Sequence, residues 1–269
     1  MNDMSIQLPV LTTMVVRRDH RVLTAALHRP EALNSLNEDV LDDLERLLTF
    51  VEGDPVVRVL VLTGVGRAFC VGLDLDTLDG AFASPDVWEA LIDRIGGLAL
   101  RLELLPVPVV CAVNGLTRAG GFELMLACDI VVMAHSARVG DAHTTFGVIP
   151  GGGSTVRLPR IVGAARAREI FLTGRWVDAK EAVDIGLVVR AVPDDDLVST
   201  AAQIAADLAG KSRDCLSALK RQLKAVEGLS VEAALPIERR HFVDYVTPAD
   251  SDGQEGYRAW REERPPTWA

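Results

Sequence analysis

Three apolar runs constrain this chain more than any other feature. Residues 56–63 (VVRVLVLT), 107–113 (VPVVCAV) and 129–134 (DIVVMA) are continuous rather than alternating. A strand with one wet face alternates, whereas a continuous run suits a strand buried on both faces of a parallel sheet. Residues 85–105, between the first two runs, have helical spacing. Strands separated by helices predict βαβ units and a layered α/β core.

The flanking segments extend this pattern. Residues 10–27 read as two strands around the polar turn 17–21, RRDHR. Val40, Leu44, Leu47, Leu48 and Val51 recur at helical spacing, with Asn37 as the cap and Glu38 and Asp39 in the first turn. After the acidic run 194–196, three helices are expected. Their marks are Leu197 to Leu208, Leu216 to Val226 and Val231 to Val246. Residues 1–195 are therefore expected to form the core that carries the site, and residues 196–269 a C-terminal helical region. That region either covers the sheet or packs against another subunit.

Composition removes several classes. The chain has 269 residues, 49% hydrophobic and 25% charged, which suits a soluble globular protein. No apolar run reaches the roughly 18 residues of a membrane span. The N-terminus lacks a basic region followed by an apolar one, so a cytoplasmic location is expected. A net charge of −10 argues against nucleic acid as a partner. Cys70, Cys111, Cys128 and Cys215 are scattered, with no CxxC and no HExxH. Reduced thiols and no metal are expected.

Three segments carry candidate chemistry. The first, GVGRAFCVGLD at residues 64–74, follows a buried strand, where α/β proteins place their sites. Gly72 permits close backbone approach, and the N–H of Leu73 is a candidate donor to an anionic oxygen. Phe69 occupies the third glycine position of GxGxxG, so the segment is not a dinucleotide fingerprint. The second is NGLTRAGGFELMLACD at residues 114–129. Gly120 and Gly121 stand at a helix start, where free N–H groups suit an oxyanion. Glu123 falls in the first helical turn. Its apolar neighbours Phe122, Leu124, Met125 and Leu126 argue for burial and a raised pKa suited to proton transfer, against the ordinary alternative of a solvated acidic residue. The third, GDAHTTFGVIPGGGSTVRL at residues 140–158, has a glycine triplet without GK[ST], which excludes a P-loop. His143 is its candidate acid–base residue if it lies opposite Glu123, and Asp141 competes for that role.

Taken in order, these segments resemble the crotonase (enoyl-CoA hydratase/isomerase) superfamily. The resemblance begins at residues 27–34, LHRPEALN, similar to the family turn NRPxxxNAL. It runs through AFCVGLDL, NGLTRAGGFELMLACDI, GVIPGGGSTVRLPRIVG and residues 172–188, and ends in the tail 255–265. It implies a ββα spiral core with a C-terminal helical trimerisation region, assembled as a trimer or dimer of trimers. It implies an acyl-CoA thioester substrate and no separate cofactor. Placed by position, the backbone N–H groups of Leu73 and Gly120 form an oxyanion hole. Arg29, Ala32 and Leu33, with Gly72, Asp74 and Gly121, are then expected to bind substrate and coenzyme A. Glu123 matches the first catalytic glutamate of the hydratases.

There are departures. The second hydratase glutamate is His143 here. The aspartate that dienoyl isomerases and aryl-CoA dehalogenases carry is Gly151, so those activities lose support. The first glycine of the helix-start triplet is Ala119, a change expected to be mild because Gly120 and Gly121 remain. Hydration or dehydration of an enoyl-CoA is the leading expectation. An isomerase, a thioester hydrolase or decarboxylase, and a non-catalytic acyl-CoA binder are the alternatives. Trp88 and Leu91 are candidates to shape an acyl pocket.

Overall fold

The computed structural model describes residues 8–82 and 84–268. Its strands are β1 (Met14–Asp19), β2 (Val22–Leu27), β3 (Val59–Gly64), β4 (Ala68–Cys70), β5 (Val109–Val113), β6 (Leu116–Arg118), β7 (Ile130–Ala134), β8 (Arg138–Gly140), β9 (Val177–Asp178) and β10 (Arg190–Val192). Its helices are α1 (Glu38–Gly53), α2 (Leu75–Ala81), α3 (Pro85–Leu104), α4 (Gly120–Leu126), α5 (Ser154–Val162), α6 (Ala164–Thr173), α7 (Ala179–Asp184), α8 (Leu197–Ala209), α9 (Arg213–Val226), α10 (Val231–Val246) and α11 (Asp252–Arg261).

The three apolar runs become β3, β5 and β7, adjacent and parallel. With β2 they form the middle of a sheet ordered β1-β2-β3-β5-β7-β10, with β1 and β10 at its edges. β3 starts later than its apolar run because Asp54 Oδ1 accepts hydrogen bonds from Val56 N (2.6 Å) and Val57 N (3.1 Å), which turns the chain first. The hairpin turn is narrower than expected. Arg17 and Arg18 belong to β1, Asp19 pairs with Val22, and the reversal is left to His20 and Arg21. His20 has φ 50°, the left-handed conformation that a two-residue hairpin turn uses.

A second sheet, ordered β4-β6-β8-β9, changes the expected topology. β3 is followed by β4, β5 by β6, and β7 by β8, each pair sending one strand to each sheet before a helical segment. The repeated step is thus ββα and not βαβ, and its winding is the expected spiral. Strands of three residues carry no readable period, which is why the sequence pattern shows only the long ones.

The helical tail has two parts. α8 lies across β2, β3, β5 and β7 and buries Leu197, Ala201 and Ala205. α9 and α10 pack mainly on one another, and α10 buries no residue. Leu219, Leu223, Leu235, Phe242 and Trp260 stay exposed on this outer part.

Two local features hold the site in place. Asn34, in left-handed backbone (φ 55°), is fully tied down. Its Oδ1 accepts from Arg29 N at 2.8 Å, and its Nδ2 donates to Val65 O at 3.1 Å and Ala68 O at 2.7 Å. It thereby fastens the turn 29–34 to the loop leading into β4. Ala119, between β6 and α4, has φ 46° and ψ −122°. Glycine dominates that conformation, because a Cβ meets the flanking carbonyl. The expected mild substitution is therefore a strained one, costing on the order of 1–3 kcal/mol.

Asn34→Ala leaves buried backbone groups without partners and a Cβ residue in left-handed backbone without its side-chain bonds. It is expected to lower the unfolding free energy by about 3 kcal/mol in urea titration. Ala119→Gly is expected to raise it by about 1 kcal/mol, the relieved strain less the extra chain entropy of glycine. A midpoint at or below that of the parent protein would show that the backbone at Ala119 is relaxed.

Candidate active site

The smaller sheet decides where the chemistry gathers. β4, β6 and β8 are parallel neighbours, so their C-terminal ends lie side by side. Gly72 and Leu73 follow β4, Ala119 and Gly120 follow β6, and Asp141 to His143 follow β8. Three segments far apart in sequence therefore meet at one edge. Ala119 N donates to Asp141 O at 2.9 Å, joining the second exit to the third.

The first two exits touch through backbone. A Cβ on Gly72 would stand 2.8 Å from Ala119 Cβ and 3.3 Å from Gly120 N. Gly72 itself has φ 98°. The parallel bridge between Leu36 and Leu73 uses Gly72 O (2.7 Å from Leu36 N) and Asp74 N (2.9 Å from Leu36 O). In such a bridge the N–H of the middle residue, Leu73, points away from the partner strand. Gly120 is the first residue of α4, and its N–H has no intrahelical acceptor. The two expected oxyanion donors are thus neighbours. Gly121 is placed differently: a Cβ there would run into Cys70 O, so this glycine serves the packing of α4 on β4.

Glu123 is 2% exposed in a helix whose every residue is buried. Ser154 N donates to its Oε1 at 3.3 Å, and a Cβ on Gly152 would stand 2.5 Å from its Oε2. Burial pushes the carboxyl above the ordinary glutamate range. The charge of His143 and the Ser154 N–H oppose this shift without cancelling it.

His143 lies close enough for its charge and that of Glu123 to act on each other. Asp141, the competing candidate, is brought against it. The fully buried Asp141 places Oδ1 2.9 Å from His143 Nδ1. A carboxylate only accepts, so Nδ1 carries the proton and Nε2 is the nitrogen left to exchange one. Burial disfavours the imidazolium, but Asp141 and Glu123 outweigh it, and His143 titrates above the ordinary histidine range. Asp141 also accepts from Ser154 Oγ at 2.8 Å. Glu123, Ser154, Asp141 and His143 thus form one connected chain.

Arg29 and Asp74 are brought together, but by pairing with each other: Arg29 Nη2 to Asp74 Oδ2 is 3.1 Å. Ser35 Oγ donates to the same carboxylate oxygen at 3.0 Å, and Arg29 Nη1 donates to Ser35 O at 2.8 Å. Burial opposes ionisation of Asp74, but Ser35 and Arg29 hold its carboxyl below the usual range. Ala32 and Leu33 are half-buried in the adjoining turn, with Leu33 at φ 52°. On α3, Leu91 is buried in the core and Trp88 makes an edge-on contact with Phe82 (centroids 5.2 Å apart). Ile92 and Ile95 of α3 border the glycine triplet: a Cβ on Gly151 would stand 3.0 Å from Ile92, and one on Gly152 2.8 Å from Ile95. Ser154, Ile92 and Ile95 escaped the sequence reading. A serine behind a glycine run at a helix start signals a helix-start residue, but nothing local names Asp141 as its partner.

A family model described as enoyl-CoA hydratase/isomerase matches residues 17–269. The 1,2-epoxyphenylacetyl-CoA isomerase of Escherichia coli (strain K12) is 37% identical over 91% of this chain and 94% of its own. The 2,3-dehydroadipyl-CoA hydratase of the same organism is 35% identical over 95% and 98%. The crystal structure of an enoyl-CoA hydratase from Bacillus anthracis superposes with a TM-score of 0.89 at 33% identity, covering 96% of this chain and 99% of that one. The spiral of ββα steps, the paired N–H groups at the ends of β4 and β6 and these full-length similarities agree: this chain belongs to the enoyl-CoA hydratase/isomerase family.

Proposed function

We propose that the protein adds water to the double bond of an enoyl-CoA thioester, or removes it in reverse, with Glu123 and His143 as the acid–base pair. The observation that carries this reading is the buried Glu123, linked to a histidine whose Nδ1 is fixed, beside two neighbouring backbone donors. In the forward direction the Glu123 carboxylate takes a proton from water, and the water oxygen bonds to the β carbon. The electrons of the double bond move through the α carbon to the thioester oxygen. The N–H groups of Leu73 and Gly120 hold that oxyanion. The His143 imidazolium then protonates the α carbon from Nε2, restoring the thioester carbonyl. Passage of the Glu123 proton back to His143 closes the cycle. Arg29 with Asp74, and the turn holding Ala32 and Leu33, brace the loop of Leu73 and border the path for coenzyme A. With a chain charge of −10, backbone donors carry much of the anion recognition.

A subunit assembly as a trimer or dimer of trimers belongs to the same proposal. Phe146, Ile149 and Leu172 are exposed close to His143, and the apolar residues of α9 to α11 are exposed as well. Patches of this kind are covered in stable oligomers. Among the described residues no helix is long and apolar enough to cross a membrane.

Crotonyl-CoA is expected to lose its enone absorbance when incubated with the protein. Glu123→Gln should slow this at least about 10²-fold, the usual scale of general acid–base catalysis. Near-normal turnover would remove Glu123 from the reaction. Exchange of solvent protons into the substrate without loss of the enone would instead assign an isomerase, the activity named for the 37% identical relative.

The pH profile follows from the two shifts. Activity should rise as the pH passes the elevated Glu123 value, because the carboxylate is the base. It should fall as the pH passes the elevated His143 value, because the imidazolium is the acid. His143→Gln should abolish the falling limb; persistence of that limb would assign the acid elsewhere. Sedimentation should give three or six times the chain mass, and a monomer would refute the assembly.

A further inference from the structure

Ser154 enters no step of the reaction, yet it touches Glu123 directly and reaches His143 through Asp141. Fully buried at the first position of α5, it donates its N–H to Glu123 Oε1 at 3.3 Å. Its hydroxyl donates to Asp141 Oδ2 at 2.8 Å, and the other oxygen of Asp141 meets His143 Nδ1 at 2.9 Å. We propose that Ser154 is the positioning residue of this site, a single buried residue that holds the Glu123 carboxylate by its backbone and the Asp141–His143 pair by its side chain in one frame. The proposal rests on the reading of Glu123 and His143 as the acid–base pair.

The frame is itself anchored. Gly153, at φ 113°, turns the chain into α5. Arg157 Nη1 donates to Gly152 O at 3.0 Å, and Arg157 is ion-paired to Glu103. Lys224 of α9 pairs with the same Glu103 at 2.7 Å. The glycine loop therefore cannot swing without breaking a charged network, and Ser154 is carried to a fixed place between two acidic groups.

The hydroxyl also divides the charge of Asp141. A buried carboxylate with two donors shares its negative charge between them, so the Ser154 hydroxyl weakens the hold of Asp141 on the imidazolium. The charged groups around His143 are few. Asp141 and Glu123 act on it directly, and Arg118 of β6 acts on Asp141. α6, which packs on the turn 143–146, carries Arg166, Arg168 and Glu169, the last paired with Arg175. None of these changes when the hydroxyl is removed.

The test is a proton NMR titration of the imidazoles in the full-length protein, with the His143 signal assigned by its loss in His143→Gln. Ser154→Ala keeps the N–H on Glu123 and removes only the hydroxyl. It is expected to move the His143 midpoint upward by about half a pH unit or more, given that one unit corresponds to about 1.4 kcal/mol of altered interaction. Ser154→Gly should move it in the same direction, and Ser154→Thr, which keeps the hydroxyl, should return it to the parent value. The falling limb of the activity profile should move with the NMR midpoint. An unshifted His143 midpoint in both hydroxyl-free variants, in protein that melts as the parent does, overturns the proposal. So does a shift that Ser154→Thr leaves in place. Because the titration needs no turnover, inactivity toward every enoyl-CoA would defeat the proposed reaction alone, whereas hydration with an unshifted midpoint would defeat the role of Ser154 alone.

Discussion

Backbone contact between the exits of β4 and β6 is the constraint on which the rest of this structure depends. Gly72 lies against Ala119 and Gly120, and Gly121 lies against Cys70, at separations that leave no room for side chains. Close packing of this kind delivers two N–H groups to one place with little freedom to move, and that fixity is what gives a dipole its value toward developing charge. The third exit is tied to the second through Ala119 N and Asp141 O. Displacement of one exit thus disturbs all three. The unfavourable backbone at Ala119 is consistent with a joint whose geometry is imposed by its neighbours.

Charge balance is the second organising principle. Glu123 and Asp141 are both buried, and two unpaired carboxylates in such a setting would be costly. His143 and Arg118 supply the opposite sign nearby. A glutamate and a histidine facing one another differ from two glutamates. The two carboxylates repel and drive one another toward protonation, whereas carboxylate and imidazolium favour each other's charged forms. Burial works against both charged forms. The outcome is a carboxyl and an imidazole that are each raised above their ordinary ranges.

Much of the frame was readable along the chain. The continuous runs of β3, β5 and β7 announced strands buried on both faces, and Asn37 marked the start of α1, where its side chain accepts from Val40 N. Apolar neighbours signalled that Glu123 is buried. The strands β4, β6 and β8 were not readable, because three residues are too few to show a period. Their absence from the pattern turned ββα steps into apparent βαβ units. The strain at Ala119 was equally hidden, since an alanine has no local signature of positive φ.

The sequence by itself determined the family and the parallel strands of the large sheet, because ordered motifs and apolar periodicity are written along the chain. Only the tertiary structure decided which contacts the residues of the site make. It set Asp141 against His143, turned Gly121 toward Cys70, paired Arg29 with Asp74 and introduced Ser154 between Glu123 and Asp141. Each of these depends on contacts between residues from 2 to 51 positions apart. Such contacts arise from how parallel strands align their ends, which no local spacing records.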